Sequence, residues 1–542
     1  MFGSIGSKAL YAVNIPIIIL YLVGMIAIAL YTRNKAKTVK DYLLAGKKGL
    51  NGWMSAFAYG TTYFSAVIFI GYAGKFGYGF GLAAVWIGIG NAVVGALLAW
   101  MVLARRTKNM TVRLDAKTMP DFFSKRYGDE KLKLVSAIVI FVFLIPYAAS
   151  VYNGLGNLFS IVFNIDAWIV MIVLAAVTAF YLFLGGYIAT SLTDFIQGII
   201  MFIGVIIMLF FFLASEKVGW GEGLKALTDA DKGLFMGGPT PGKYIYGKEM
   251  TLIFLVLLTS FGVWALPQTI HKYYTVRDKK AIKQGTIVST VFALVIGFGA
   301  YFIGGLATLF YDKAPGGNTD NVIPHMIKDT LPNGLLGLIA VLVLAASMST
   351  LASVSLASSS VVTIDIYKGS VNKKASDKQV TLLMRILALV FVVIATVIAY
   401  LNTKFNITAI AYMMGLSWGT LAGCFMGPYV LGVIWKKTTR KAAWASVIGS
   451  LVLTFTLIIV LGYDKGGWEG VTFGKAVQNG VGLSPMIGVI CMAYSMLSTF
   501  VVSLFTKQLP EERIKEAFEK PIDNEILPTV RTKKADADAK IN

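Results

Sequence analysis

The chain has 542 residues, 56% of them hydrophobic and only 14% charged, where a soluble chain carries roughly 25% charged residues. Its mean hydropathy is +0.71, and uncharged runs of about 20 residues recur, each long enough to cross a hydrocarbon core. The net charge of +21 lies mostly in short loops between these runs, where Lys and Arg set orientation, so it does not indicate nucleic acid. Cys424 and Cys491 both lie inside apolar runs, which argues against a disulfide framework or a metal cluster. His271 and His325 are the only histidines, and no HExxH or P-loop pattern is present, so an enzyme is not expected.

The expected spans follow in order. The first, Val13–Tyr31, precedes a basic loop from Arg33 to Lys48. The second is Leu50–Gly74 and the third Leu82–Leu103, followed by a long basic loop from Arg105 to Lys133. Spans four to six cover Leu134–Phe163, Ala167–Leu184 and Thr190–Leu213, with a tight turn at Gly185–Tyr187. A mixed-charge loop runs to Met250, and the seventh span, Thr251–Ile270, is closed by a cluster beginning at Lys272. The eighth is Ile287–Phe310 and the ninth lies within Gly334–Lys368. The last four are Leu382–Tyr400, Ile407–Ile434, Ala442–Leu461 and Pro485–Phe505. Counted alternately, the Lys/Arg clusters fall on one side. This predicts about thirteen spans with the N-terminus outside and a cytoplasmic tail, Lys507–Asn542, in which Glu511–Lys520 forms a short helix.

Three stretches carry candidate chemistry. The second span holds Gly60, Thr61, Thr62 and Ser65, and the seventh holds Ser260, Gly262 and Pro267. A helix interrupted at membrane depth frees backbone groups, which is tolerated where they line a cavity or bind a ligand. Two interruptions five spans apart fit an inverted repeat of five helices with its binding site at the breaks. The sixth span holds one acid, Asp194. A carboxylate there costs roughly 2.5–3.5 kcal/mol to insert and marks an ion path or a polar partner. In the ninth span Ala346, Ser349, Thr350 and Ser353 stand at i, i+3, i+4 and i+7, on one helical face. Such a stripe either packs closely against a neighbouring helix or offers neutral oxygens to a dehydrated cation.

GGYIATSLTDFIQ, DYLLAGK from Asp41, and LAASMSTLASVSLASSSVVTIDIYK together resemble the sodium/solute symporter family. That family includes bacterial proline, pantothenate and sialic acid transporters and the sodium/glucose cotransporters. The resemblance covers roughly Tyr31 to Lys437. It implies a LeuT-type inverted repeat, with one extra helix before it and two after. It also implies a sodium site made by the carbonyls of Thr61, Phe64 and Ala346 and the hydroxyls of Ser349 and Thr350. A second sodium, bound in some sialic acid transporters, would fall on Asp194, Ser349, Ala352 and Ser353. Ala352 stands where that pattern has a serine. Candidate substrate residues are Thr62, Tyr63, Tyr147, Trp264, Pro267 and Gln268. Tyr63 stands where proline transporters have an aspartate, and the position of a sialic-acid-clamping arginine falls near Tyr147, so neither substrate is assigned.

The expected organisation is an extra helix and basic loop over 1–49, a first repeat over 50–215 and an extracellular loop over 216–250. A second repeat then spans 251–435, two further helices 436–506 and a tail 507–542. The expected function is sodium-coupled uptake of a small organic solute, such as an amino acid, carboxylate or sugar, by alternating access. The setting is a prokaryotic plasma membrane, and the partners are solute, sodium and lipid, with no obligate protein partner. Sodium is a coupling ion rather than a tightly held cofactor. Proton coupling in the same fold, or a transporter-like solute sensor, is the alternative.

Overall fold

Backbone groups inside a bilayer must be satisfied within their own segment, and apolar runs of this length achieve that as helices. The computed structural model describes residues 7–33, 38–44, 49–219, 221, 225 and 247–520. Among them the only β pairing is a single parallel bridge between Leu50 and Val276. Twelve helices among the described residues are long and apolar enough to cross a membrane.

The first helix, α1 (Ser7–Thr32), is followed by a short α2 (Val39–Leu44). The second expected span is discontinuous. Asn51 caps α3 (Gly52–Tyr63) by accepting from the Met54 amide; Phe64 then turns extended (φ −106°, ψ 112°), and the chain resumes as α4 (Ile68–Gly77), wound as a π-helix. Helical residues continue to Arg113, 46 in all from Ile68. At 1.5 Å per residue that is about 69 Å, more than twice a hydrocarbon core. Gly81, at φ 64°, divides the run, so residues 81–113 (α5) form the third span.

After α6 (Met119–Tyr127) comes α7 (Glu130–Phe163). The predicted tight turn separates α8 (Ala167–Tyr187) from α9 (Ala189–Leu213). Gly186 adopts φ 56°, ψ −154° there, a region essentially restricted to glycine. An added Cβ would stand 2.5 Å from the Tyr42 ring, and the Tyr42 hydroxyl donates to the Leu182 carbonyl at 2.9 Å. The DYLLAGK and GGYIATSLTDFIQ motifs thus meet at this corner. Most of the loop expected over 216–250 lies outside the described residues, as does the tail beyond Lys520.

The seventh span is likewise discontinuous: α10 (Lys248–Gly262) ends before Leu266, and Pro267 opens α11 (Pro267–Tyr274). Proline suits a first helical turn, where no N–H is needed. Contrary to the sequence reading, the helix does not stop at Ile270, and Lys272 is buried within it rather than exposed in a loop. Then follow α12 (Lys279–Phe310), a short α13 (Val322–Thr330) and α14 (Asn333–Ser360), which continues as a π-helix over Val361–Val371. Of the most apolar stretch of α14, 89% is buried inside the protein, against 28% for α1, so α14 is central and α1 peripheral. The chain closes with α15 (Asp377–Phe405), α16 (Ile410–Met426, helical to Ile434), α17 (Arg440–Gly466), a short α18 (Phe473–Val481) and α19 (Ser484–Phe505). The expected tail helix is present as α20 (Glu511–Phe518). It docks through Phe518, whose ring lies 5.1 Å from the Arg126 guanidinium. Arg126 in turn donates to the carbonyls of Gly432, Trp435 and Lys436, satisfying the open C-terminal end of the α16 run.

Candidate functional site

The face predicted on α14 lies against the break between α3 and α4. Ser349 Oγ and Thr350 Oγ1 each donate to the Thr61 carbonyl at 3.1 Å. Ser349 Oγ also reaches the Ala346 carbonyl at 3.1 Å and the Ala345 carbonyl at 2.9 Å. Phe64, with its extended backbone, turns its carbonyl off the helical path at the same break. Thr61, Phe64, Ala346, Ser349 and Thr350 are all almost completely buried. Four of these five groups are joined by direct hydrogen bonds, and the fifth is three residues from Thr61. The set is made of neutral oxygens, the donor type that hard cations take.

The remaining charged chemistry lies one turn along α14. Ser353 Oγ is 2.8 Å from Thr62 Oγ1 and accepts from Lys272 Nζ at 2.9 Å. Lys272 Nζ pairs with Asp194 Oδ2 at 3.3 Å, with side-chain exposures of 2% and 0%. Asp194 therefore has a polar partner at depth, one of the two outcomes expected of it. The Lys272 ammonium was missed as a site residue because its neighbours in sequence, Arg277, Lys279 and Lys280, read as a loop cluster. The available signal was Asp194 itself, since a buried carboxylate calls for a cation.

The candidate substrate residues divide. Tyr63 lines a narrow cavity with Phe64, Ser65, Tyr72, Asn91, Thr259, Tyr301 and Trp418. Its ring stacks on Phe64 at 4.4 Å and its hydroxyl donates to the Thr259 carbonyl at 2.7 Å. Tyr147 packs edge-on against Trp418 at 5.6 Å, and its buried hydroxyl has no hydrogen-bond partner among the described residues. Gln268 lines a separate cavity with Tyr187, His271, Lys272 and Ser353, the side to which Thr62 is also tied. Trp264 donates to the Val94 carbonyl at 3.0 Å, and Pro267 starts α11; neither lines the Tyr63 cavity. Each of the two cavities leaves about 10 Å³ for the centre of a water-sized sphere, room for about one water. A larger apolar pocket of about 750 Å³, between α15, α16 and α18, contains none of the predicted site residues.

A further polar cluster anchors the far end of α14. Lys133 Nζ lies 3.2 Å from Asp121 and 3.6 Å from Asp365, and Thr118 donates to Asp365 at 2.7 Å.

Two interrupted helices packed on a central polar helix, within a many-span helical bundle, define a membrane transporter rather than an enzyme. A model of the Sodium:solute symporter family matches residues 42–449. The chain belongs to this family and is a multi-pass cell-membrane protein. The osmoregulated proline transporter OpuE of Bacillus subtilis is 28% identical over 497 residues, spanning 90% of this chain and 94% of that protein. The sodium/proline symporter of Haemophilus influenzae is 29% identical over 521 residues, spanning 92% and 96%. Among solved structures, a substrate-bound, outward-open Na+-coupled sialic acid symporter superposes with a TM-score of 0.71 at 19% identity, over 92% of this chain and 98% of that one. That likeness establishes the fold, the LeuT-type bundle the resemblance implied.

Proposed function

We propose that this protein is a sodium-driven symporter for a small solute of no net charge. The observation that carries the reading is the convergence of Ser349 and Thr350 on the Thr61 carbonyl. One sodium ion, as co-substrate, binds among the oxygens of Thr61, Phe64, Ala346, Ser349 and Thr350 and replaces their mutual hydrogen bonds. This ties the interrupted span α3–α4 to α14 and favours the outward-open state. The solute binds beside Tyr63, Tyr147 and Trp418, and its binding closes the outer path. Loss of sodium inward then lets α3 and α14 separate. Coupling requires that both ligands bind the two states unequally. The membrane potential contributes about 2.3 kcal/mol per charge per 100 mV.

The solute class follows from the cavity. Its lining holds tyrosines, Trp418, Asn91 and Thr259 but no Asp, Glu, Lys, Arg or His, so a net charge would be buried without a partner. The chemistry of that lining suits a zwitterion or a neutral solute, and the proline transporters among the relatives make L-proline the first probe. The chain is read as about thirteen spans, N-terminus outside, with repeats over 50–215 and 251–435.

The test is uptake of labelled L-proline into proteoliposomes at fixed pH with sodium or potassium outside. Uptake only in sodium is expected. Equal uptake in both salts, or uptake that follows a pH gradient instead, would sink sodium coupling.

A further inference from the structure

The sodium site described above leaves a buried cation without a role. Lys272 rides on α11, the second half of the interrupted seventh span. Its ammonium contacts Asp194 Oδ2 and Ser353 Oγ at 3.3 and 2.9 Å and lies 5.1 Å from the centre of the Tyr187 ring, a favourable position for a cation. Asp194 and Ser353 are two of the residues on which a second sodium would fall. The third, Ala352, has no hydroxyl. The fourth, Ser349, faces the first sodium site, with its hydroxyl on the carbonyls of Thr61, Ala345 and Ala346. A second sodium is therefore excluded by charge: the Lys272 ammonium already stands on Asp194 and Ser353, while the missing Ala352 hydroxyl removes only one oxygen of the set.

We propose that the Lys272 ammonium is a tethered cation in the place of a second sodium, so that the transporter binds a single sodium ion per cycle. The proposal rests on the reading of the first sodium site. A covalently held cation neutralises Asp194 without being delivered or released. It also does what a free ion would not. Through Ser353, which bonds Thr62 at 2.8 Å, Lys272 joins α11 to α14 and to α3. Both interrupted spans are thus connected through one side chain, next to Thr61. Lys272 is a positioning residue here, acting on the sodium face through Ser353 and Thr62. The other oxygen of Asp194, Oδ1, has no hydrogen-bond partner among the described residues. Removing the lysine would leave the carboxylate and Ser353 open to a mobile cation.

The experiment counts radioactive sodium bound at saturation by the purified full-length chain, using equilibrium dialysis, with no solute required. The wild type is expected to bind one sodium. Lys272→Met, which keeps the length and removes the charge, is expected to bind two, and Lys272→Arg one. A wild type that binds two, or a folded Lys272→Met that still binds one, overturns the tethered-cation proposal alone. A wild type that binds none overturns the first sodium site itself, which separates the two failures. Should Lys272→Met fail to fold, Ala352→Ser answers the same question with the lysine in place. Restoring that hydroxyl should leave the count at one, and a count of two would overturn the proposal.

Discussion

Ser349 Oγ donates to the Thr61 carbonyl at 3.1 Å across 288 residues of sequence. The contact joins an unwound backbone to one of the two most buried helices of the bundle, and substitution there distinguishes an ion site from a packing stripe. A membrane hydrogen bond used only for packing averages about 0.6 kcal/mol. An oxygen lost from an ion site is expected to weaken sodium binding by roughly tenfold or more, about 1.4 kcal/mol. Ser349→Ala and Thr350→Ala should each show that loss in sodium titrations followed by tryptophan fluorescence. Ser355→Ala is the control, because its buried hydroxyl has no hydrogen-bond partner among the described residues. Wild-type sodium affinity in both test variants would leave the stripe as packing.

Lys133 stands between two buried acids at the end of α14. Taking away one partner of such a cluster costs about 3–5 kcal/mol, because the remaining charges are left uncompensated. Lys133→Met should therefore lower the melting temperature in detergent sharply. Adding Asp365→Asn to that variant should recover part of the loss. Simple additivity of the two substitutions would show that Lys133 and Asp365 do not act together.

Gly186 is constrained twice, by its backbone angles and by the Tyr42 ring. Gly186→Ala should destabilise the protein by roughly 1–3 kcal/mol from the backbone alone. Tyr42→Ala clears the space but leaves the angles, so the double variant should stay less stable than Tyr42→Ala. Full rescue in thermal melts would show that the angles carry no cost.

Asp320 lies between α12 and α13, outside the spans, and accepts from the Ile410 amide at 3.1 Å. Burial pushes its carboxyl up to about 6, against the opposing pull of that amide and of Lys75. A carboxyl raised in the folded state binds more protons there than in the unfolded chain. Its contribution to stability therefore falls as pH rises between about 4 and 6. Asp320→Asn should gain stability relative to the wild type across that window, seen as a widening difference in melting temperature. A wild type that instead gains on the variant as pH rises would reverse the sign.

The basic loops predict one orientation. In a cysteine-free background, a cysteine at exposed Lys279 or Lys373 should react with impermeant thiol reagents only from the cytoplasmic side. Labelling in intact cells would invert the topology.

Apolar length and small polar interruptions made the spans and both broken helices legible in sequence. The 3.6-residue period placed Ala346, Ser349, Thr350 and Ser353 on one face before their partners were known. Short helices escaped: α2, α6, α13 and α18 span 6 to 9 residues, too few for a clear apolar period. Lys272 escaped for another reason. Its burial depends on Asp194, 78 residues earlier, and no local pattern distinguishes it from the loop lysines that follow. The division of Tyr63 and Tyr147 from Thr62 and Gln268 was equally hidden, because it depends on how α3, α7 and α11 cross rather than on their composition.

The Leu50–Val276 bridge is made by main-chain atoms: Leu50 N–H to the Thr275 carbonyl at 2.8 Å and Arg277 N–H to the Leu50 carbonyl at 3.0 Å. It fastens the beginning of one interrupted span to the end of the other. An alanine scan across both segments would pass over this fastening in silence, since every alanine keeps its amide. Proline at position 50 or 277 would remove one bond each, and a transporter that lost its rate while keeping its ligands would reveal how much of its motion is carried as a single piece.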